Sequence, residues 1–113
     1  AFQDHSDISI PFVPEYSRRH AWYMYTVSLA ESIDRDKVVV SLKENGIDTR
    51  LSFPPIHIQP YYQDRFNYAD RSLPISFKAW NQLINIPMWV GLKVDQQDYV
   101  IEKLQTIVKH LKR

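Results

Sequence analysis

The sequence predicts an α+β fold in which a small three-stranded sheet carries helices packed on one face. Three observations support this class: an aromatic, β-branched run at 20–29 is typical of a strand, a capped helical pattern follows, and the chain ends in an amphipathic helix. The 113 residues suffice for one hydrophobic core, whereas either half alone would bury too little surface.

The chain opens with a segment of no clear periodicity. Residues 1–19 contain two prolines, so we interpret them as an extended lead-in or linker and place the domain itself at 20–113. The first predicted strand, 20–29, has apolar residues on both of its faces. We therefore expect both faces to be covered, one of them by helices of this domain.

A helix and a second strand are predicted next. Asp34 is a suitable N-cap for a helix that Gly46 can end, because glycine readily adopts the left-handed conformation. Three consecutive valines are poor helix formers, so this prediction depends on the caps. Residues 47–53 are predicted to form the second strand, which ends at Pro54 because proline cannot donate to a ladder.

The remaining elements follow a proline-rich loop. Residues 61–72 are a polar, aromatic connection with room for one helical turn, and Pro74 suits the start of a helix that ends near Leu83. Residues 83–89 are predicted to be a short apolar strand broken by Pro87, and Asp95 is the predicted cap of the last helix. The apolar stripe of that helix comprises Val100, Leu104, Ile107, Val108 and Leu111. Burying it is worth on the order of 8–15 kcal/mol before entropy is counted.

Composition excludes several classes of function. Fourteen basic and thirteen acidic residues give a net charge of +1, so no electrostatic footprint for nucleic acid is expected. No apolar run approaches the roughly 20 residues that span a bilayer, and the opening residues show no signal-peptide pattern. The absence of cysteine removes disulfides and thiolate sites and suits a cytoplasmic protein. A first residue other than Met suggests a processed, tagged or excised segment.

Catalytic motifs are missing. With two glycines in the chain, no phosphate-binding loop is possible, and no nucleophile elbow occurs. The lysines all lie in polar positions that we expect to be exposed, whereas an activated amine needs a desolvated setting. The other three histidines show no ligand spacing to His57, so no metal site is expected. We therefore predict no catalytic residue in this chain.

The stretch RLSFPPIHIQPYYQ, residues 50–63, is the candidate binding segment, because three of the seven prolines stiffen it. His57 is either a functional group, such as a base or a substrate contact, or a loop histidine held by backbone carbonyls. Arg50 could hold a carboxylate or phosphate, or be an ordinary exposed strand arginine. Tyr61 and Tyr62 could stack on a ligand ring or pack under the loop.

Four segments carry a resemblance to a known family. The stretch FPPIHIQPYY, together with HAWYMYTVSL, RDKVVVSLKENGIDTR and INIPMWVGL, resembles the C-terminal segment of the DegT/StrS sugar aminotransferases, which depend on pyridoxal phosphate. The resemblance spans roughly residues 11–110 and is closest to perosamine-synthase-like members. Val90 departs from it, since members commonly carry a proline or similar turn residue there.

The resemblance implies a small C-terminal domain of a fold-type-I pyridoxal-phosphate enzyme, with a large cofactor domain elsewhere and a homodimeric parent. Such enzymes transfer an amino group from glutamate to a nucleotide-linked keto-sugar in polysaccharide or antibiotic-sugar biosynthesis. The cofactor lysine and phosphate cup belong to the large domain, so this piece would bind no cofactor and be inactive alone. It would supply part of the substrate cleft, with Arg50, His57, Gln59 and Tyr61 as candidate substrate contacts.

Two alternatives stay open. The chain could be a free-standing nucleotide-sugar-binding or protein-interaction module descended from such a domain. It could also be one chain of a split enzyme that joins a separately encoded cofactor domain.

Overall fold

The computed structural model describes residues 1–69 and 72–112 and confirms the α+β class. The elements in chain order are β1 (Ile8–Ser9), β2 (Tyr25–Leu29), α1 (Arg35–Glu44), a 3-10 helix (Ile56–Ile58), α2 (Pro60–Phe66), α3 (Pro74–Gln82), β3 (Leu83–Ile86) and α4 (Val94–Leu111). In this described part, no helix is both long and apolar enough to cross a membrane.

The sheet is antiparallel throughout, in the order β1-β2-β3. The register pairs Ile8 with Leu29 at one edge and Val27 with Ile84 at the other. Since side chains alternate across a strand, these apolar residues share one face of the sheet. That face is the one the helices cover.

The sheet contains three strands, as predicted, but the segment predicted as its second strand is not among them. Residues 47–53 make a single antiparallel bridge, between Arg50 and Asn85. Pro54 and Pro55 have no N–H to donate, so pairing cannot continue toward the loop. Its place in the three-stranded sheet is taken by β1, which lies in the predicted lead-in. This strand of two residues is too short to show a periodic pattern in the sequence.

The first predicted strand is also shorter than expected. Pairing begins at Tyr25 rather than near His20, because Trp22 has a φ of 48° and so leaves the extended conformation. The His20 ring lies 4.1 Å from the Trp22 ring, and His20 Nδ1 accepts a hydrogen bond from the Trp22 N–H at 3.0 Å. This local turn replaces the first half of the predicted strand.

The hydrophobic core lies between the sheet, α1 and α4. Its fully buried side chains are Ile8, Val27, Leu29, Val38, Leu42, Ile84, Leu104 and Val108. The predicted stripe of α4 is confirmed, since Val100 is also buried and the other two members pack against this cluster. The lead-in contributes Phe2 as well as Ile8 to the core, while the domain boundary at residue 20 stays a prediction.

The caps of α1 are confirmed. The carboxylate of Asp34 accepts a hydrogen bond from the Lys37 amide at 3.2 Å, and this bond lowers the pKa of Asp34. At the other end Gly46 has a φ of 75° and donates to the Lys43 carbonyl, while Ile47 donates to Leu42. This pair of bonds is a Schellman motif, and it explains how a valine-rich segment forms a defined helix.

The ends of the other helices follow proline and polar signals. α3 begins at Pro74, as predicted, and α2 is a seven-residue helix where one turn was expected. Residues 70 and 71 of the predicted connection lie outside the described residues. α4 begins two residues earlier than its predicted cap implies: Lys93 is the N-cap, and Asp95 lies in the first turn, where its charge favours the helix dipole.

The two termini of the described chain lie side by side. Lys112 Nζ contacts the Asp7 carboxylate at 3.0 Å, and Gln105 Nε2 donates to the Ala1 carbonyl at 3.2 Å. The hydrogen bond from Lys112 lowers the pKa of Asp7. The end of α4 is therefore next to the segment that precedes β1.

Candidate functional site

The candidate segment is attached to the sheet at Arg50. The Arg50 amide donates to the Asn85 carbonyl at 3.1 Å, and the Asn85 amide donates back to the Arg50 carbonyl at 2.9 Å. Asn85 is 8% exposed. Its side-chain carbonyl accepts a hydrogen bond from the Thr26 hydroxyl, and its amide donates to Ser52 Oγ at 3.4 Å. One buried amide thus joins β2, β3 and the start of the segment.

A second attachment comes from α3. The indole Nε1 of Trp80 donates to the Ser52 carbonyl at 3.0 Å. Behind it, the guanidinium of Arg35 donates to the Trp80 carbonyl at 2.8 Å and lies 5.1 Å from the centre of the Trp80 ring. Arg35 is buried and also pairs with Asp36 at 2.8 Å, so its charge is compensated.

Beyond these attachments, the segment is closed mainly by short-range bonds. The Ile58 amide donates to the Pro55 carbonyl at 3.1 Å, and the Gln59 amide donates to Ile56 at 3.0 Å. The Gln59 side chain reaches back to the Pro54 carbonyl at 3.5 Å. Pro60 then begins α2 directly. The prolines therefore set the path of the loop, as expected of residues with a fixed φ.

The four predicted contact residues occupy different environments. Arg50 is exposed, and its guanidinium has no hydrogen-bond or ion-pair partner among the described residues. Tyr61 is exposed, with its hydroxyl accepting from Arg65 at 3.3 Å. Gln59 is half-buried, and His57 is only 4% exposed. The imidazole is therefore an interior group of the loop, and a ligand would reach it only if the loop opened.

Arg50 lines a surface groove, whereas the other three predicted contact residues do not line it. The groove has a volume of ≈ 910 Å³, and its walls include Tyr23, Met24, Asp48, Phe53 and Trp89. His57, Gln59 and Tyr61 lie on the far side of Phe53 along the chain and are not part of its lining. The structure thus brings these three together in one turn but separates them from Arg50.

Several rings around this groove are almost fully exposed. Tyr23 is 90% exposed and Phe53 96% exposed, and Trp89, which lines the same groove, is 55% exposed. A second aromatic row, on α2 and just after it, has ring centres 5.2 to 6.2 Å apart and consists of Tyr61, Tyr62, Phe66 and Tyr68. Exposed apolar patches mark protein or membrane interaction sites or ligand-binding grooves.

Lysine side chains and clusters of His, Asp and Glu are the groups of this chain that bear on cofactor and metal binding. Six of the seven lysines are exposed, and the seventh, Lys103, is half-buried on α4 with Nζ 5.4 Å from the Tyr99 ring. None fits the enclosed setting of an amine that bonds pyridoxal phosphate. Among the described residues, no group of three His, Asp or Glu side chains is arranged to hold a metal ion.

Two residues of the site were missed in the sequence. Asn85 had a usable signal, because it is the polar residue in an otherwise apolar strand, LINI. Trp80 had none, since an indole on a short helix is equally compatible with core packing and surface exposure.

The chain is similar to sugar aminotransferases in sequence and in structure. The model of the DegT/DnrJ/EryC1/StrS aminotransferase family matches residues 1–105. The spore coat polysaccharide biosynthesis protein SpsC of Bacillus subtilis (strain 168) is 34% identical over 96% of this chain and 29% of its own length.

Solved structures agree with this match. The structure of NtdA from Bacillus subtilis with bound cofactor PMP is 27% identical over 96% of this chain, with a TM-score of 0.71. Helicobacter pylori PseC, an aminotransferase involved in the biosynthesis of pseudoaminic acid, shares the fold with a TM-score of 0.80 at 18% identity over 96% of this chain. The chain spans 24% of the first of these structures and 29% of the second.

Proposed function

We propose that this chain, which belongs to the DegT/DnrJ/EryC1/StrS aminotransferase family, is the small C-terminal domain of a nucleotide-sugar aminotransferase. The supporting observation is the family match over 1–105 combined with the fraction of SpsC covered, 29%. A piece of that size that carries the family pattern but no activated lysine is best explained as one part of a larger enzyme.

The parent enzyme, in this proposal, moves an amino group from glutamate to a nucleotide-linked keto-sugar in the cytoplasm. Pyridoxal phosphate would supply the amino-group carrier, as the PMP bound in the NtdA structure suggests by analogy. Because the lysines of this chain do not fit that cofactor, we assign its binding to the rest of the parent and none to this piece alone. The name of SpsC points to polysaccharide biosynthesis as the pathway class.

The role of this domain is to form part of the wall of the substrate cleft. Arg50 offers an unpaired, fork-shaped donor for a carboxylate or phosphate at the groove. Gln59 and Tyr61 present polar groups from the proline-fixed turn. His57 belongs to the same turn, and we propose that it contacts substrate only when the loop opens, because it is buried in the closed form.

The exposed rings fit a domain that is normally covered. The large cofactor domain would pack on the groove side, where Phe53 and Tyr23 project, and a second subunit would complete the homodimer. Neither nucleic acid nor a membrane is a partner in this proposal. The net charge of +1 gives no broad electrostatic attraction for a polyanion.

The test compares the chain with the longer protein encoded at the same locus. The longer protein, given glutamate and a nucleotide-linked keto-sugar, should form an amino sugar detectable by mass spectrometry, and the 113-residue chain should form none. The chain should also yield no borohydride-trapped adduct with pyridoxal phosphate. A stoichiometric adduct on one of its lysines would contradict the proposal, and a reading frame that starts at residue 1 would favour the module or the split enzyme.

The contact role of Arg50 is tested in the longer protein. Replacing Arg50 by Gln removes the charge-assisted hydrogen bond, so KM for the anionic substrate should rise roughly tenfold or more. Arg19→Gln, at an exposed arginine of the lead-in, is the matched control and should leave KM unchanged. Equal KM values for both variants would remove Arg50 from the site.

A further inference from the structure

We propose that Trp80 and Asn85 are positioning residues, which hold the segment 50–52 against the sheet and thereby place Arg50 and the following loop at the cleft. This inference rests on the proposed function for its meaning, since the cleft belongs to the parent enzyme. The geometry that carries it, however, is contained in this chain.

The segment 50–52 needs such anchors because the sheet itself barely holds it. Its one bridge, at Arg50, provides two backbone hydrogen bonds. After Ser52 the chain enters Phe53, Pro54 and Pro55, and neither proline can donate a ladder bond. The hydrogen bonds that Trp80 and Asn85 donate to Ser52 therefore hold the chain immediately before the proline-rich loop begins.

Asn85 donates the first of these hydrogen bonds, although burying a polar side chain in the core is unfavourable in itself. It lies in β3 between Ile84 and Ile86, where an apolar residue would pack without needing partners. Its buried amide is nonetheless satisfied at both ends, by the Thr26 hydroxyl and by Ser52 Oγ. A polar group so placed favours one arrangement of the three segments over slipped alternatives.

Trp80 donates the second of these hydrogen bonds, and Arg35 fixes Trp80. The indole N–H is bonded to the Ser52 carbonyl, while the Arg35 guanidinium covers the ring and bonds the Trp80 carbonyl. The indole is therefore oriented from both sides. Since the Ser52 carbonyl has no strand partner, loss of this donor would leave it to water.

The experiment measures amide hydrogen exchange in the 113-residue chain and its Trp80→Phe variant. Phenylalanine keeps a ring under Arg35 but removes the N–H donor to Ser52. Exchange at the Arg50, Ile58 and Gln59 amides should quicken roughly fivefold, as expected for one lost neutral hydrogen bond. Amides in the middle of α4 should keep their rates.

Controls separate positioning from general destabilisation. Trp89→Phe, at an exposed indole outside this network, should change none of these rates. Ser52→Ala removes only the hydroxyl that Asn85 contacts and should give a smaller increase at the same three amides. Equal acceleration in the loop and in α4, or no acceleration at all, would overturn the inference.

A functional readout comes from the longer protein. Trp80→Phe there should raise the substrate KM severalfold with a much smaller change in kcat, because the contact residues are displaced while the cofactor domain is untouched. Loss of kcat with unchanged KM would contradict a positioning role. If the longer protein shows no amino transfer at all, the proposed function fails, and the exchange result still decides whether the two anchors hold the segment.

Discussion

The core of α1, α4 and the sheet differs sharply from the segment 50–69. The core residues are buried and pack against one another between the sheet, α1 and α4. Among the described residues, no buried polar side-chain atom lacks a hydrogen-bond partner. In the segment, short-range bonds join Pro54, Pro55 and Ile56 to Ile58 and Gln59, and α2 contains no buried residue. Burial of the core stabilises the fold, whereas the segment leaves large apolar side chains such as Phe53 exposed at the surface.

The overall dimensions reflect the same contrast. The radius of gyration is 15.8 Å, whereas a compact domain of this length is expected to have about 13 Å. The largely exposed segments 10–24 and 50–69 both lie outside the core and contribute to this extended shape. We infer that the segment is shaped for a surface that this chain does not contain, and the following four predictions test that division.

The largest effect is expected in the core. Leu104→Asp places a charge at a fully buried position, so the free energy of unfolding should fall by more than about 4 kcal/mol and the chain should be largely unfolded. Thermal melting followed by circular dichroism measures this. Thr106→Asp, an exposed position on the same helix, should melt nearly as the parent chain does, and an unchanged melting temperature for Leu104→Asp would refute the core assignment.

A moderate effect is expected at the end of α1. Gly46 has a φ of 75° with open space where a Cβ would lie, so Gly46→Ala should lose about 1 kcal/mol through backbone strain alone. Gly91→Ala is the matched control, because Gly91 lacks a positive φ and its added carbon would make ordinary contacts. Urea unfolding should show the difference, and equal losses would contradict the Schellman motif.

A smaller effect is expected from acid. The folded state lowers the pKa of Asp34 through the Lys37 amide and that of Asp7 through Lys112. Both contributions are complete above the unfolded pKa, and they are lost as pH falls through the still lower folded values. Asp34→Asn keeps a capping side chain but removes the titrating carboxyl. The thermal unfolding midpoint of this variant should therefore decline less than that of the parent chain between neutral pH and pH 3. Parallel declines in the two proteins would argue against the cap.

The smallest effect on stability is expected at the groove. Phe53 is almost fully exposed, so Phe53→Ser should leave the melting temperature within about 2 °C of the parent value. It should, however, reduce self-association of the chain, since a large bare ring favours contact with another copy. Sedimentation velocity at high concentration tests this, and a parent chain that stays monomeric would count against the covered-surface interpretation.

The sequence predicted the core better than the segment because the core has periodicity. The stripe of α4 and the caps Asp34 and Gly46 follow rules that act within a few residues. The strand Ile8–Ser9 could not be predicted, since two residues carry no period and its partner is remote in sequence. The same applies to His57: the proline frame marked the loop but could not indicate that the imidazole turns inward.

The pairing of Lys112 with Asp7 and of Gln105 with Ala1 has a practical consequence for engineering. Because residues near its first and last positions are bonded to each other, the piece can be exchanged as one packed unit with little disturbance to its own fold. Chimeras that trade this block among sugar aminotransferases could therefore isolate what it contributes to substrate choice, leaving the host protein's cofactor machinery in place.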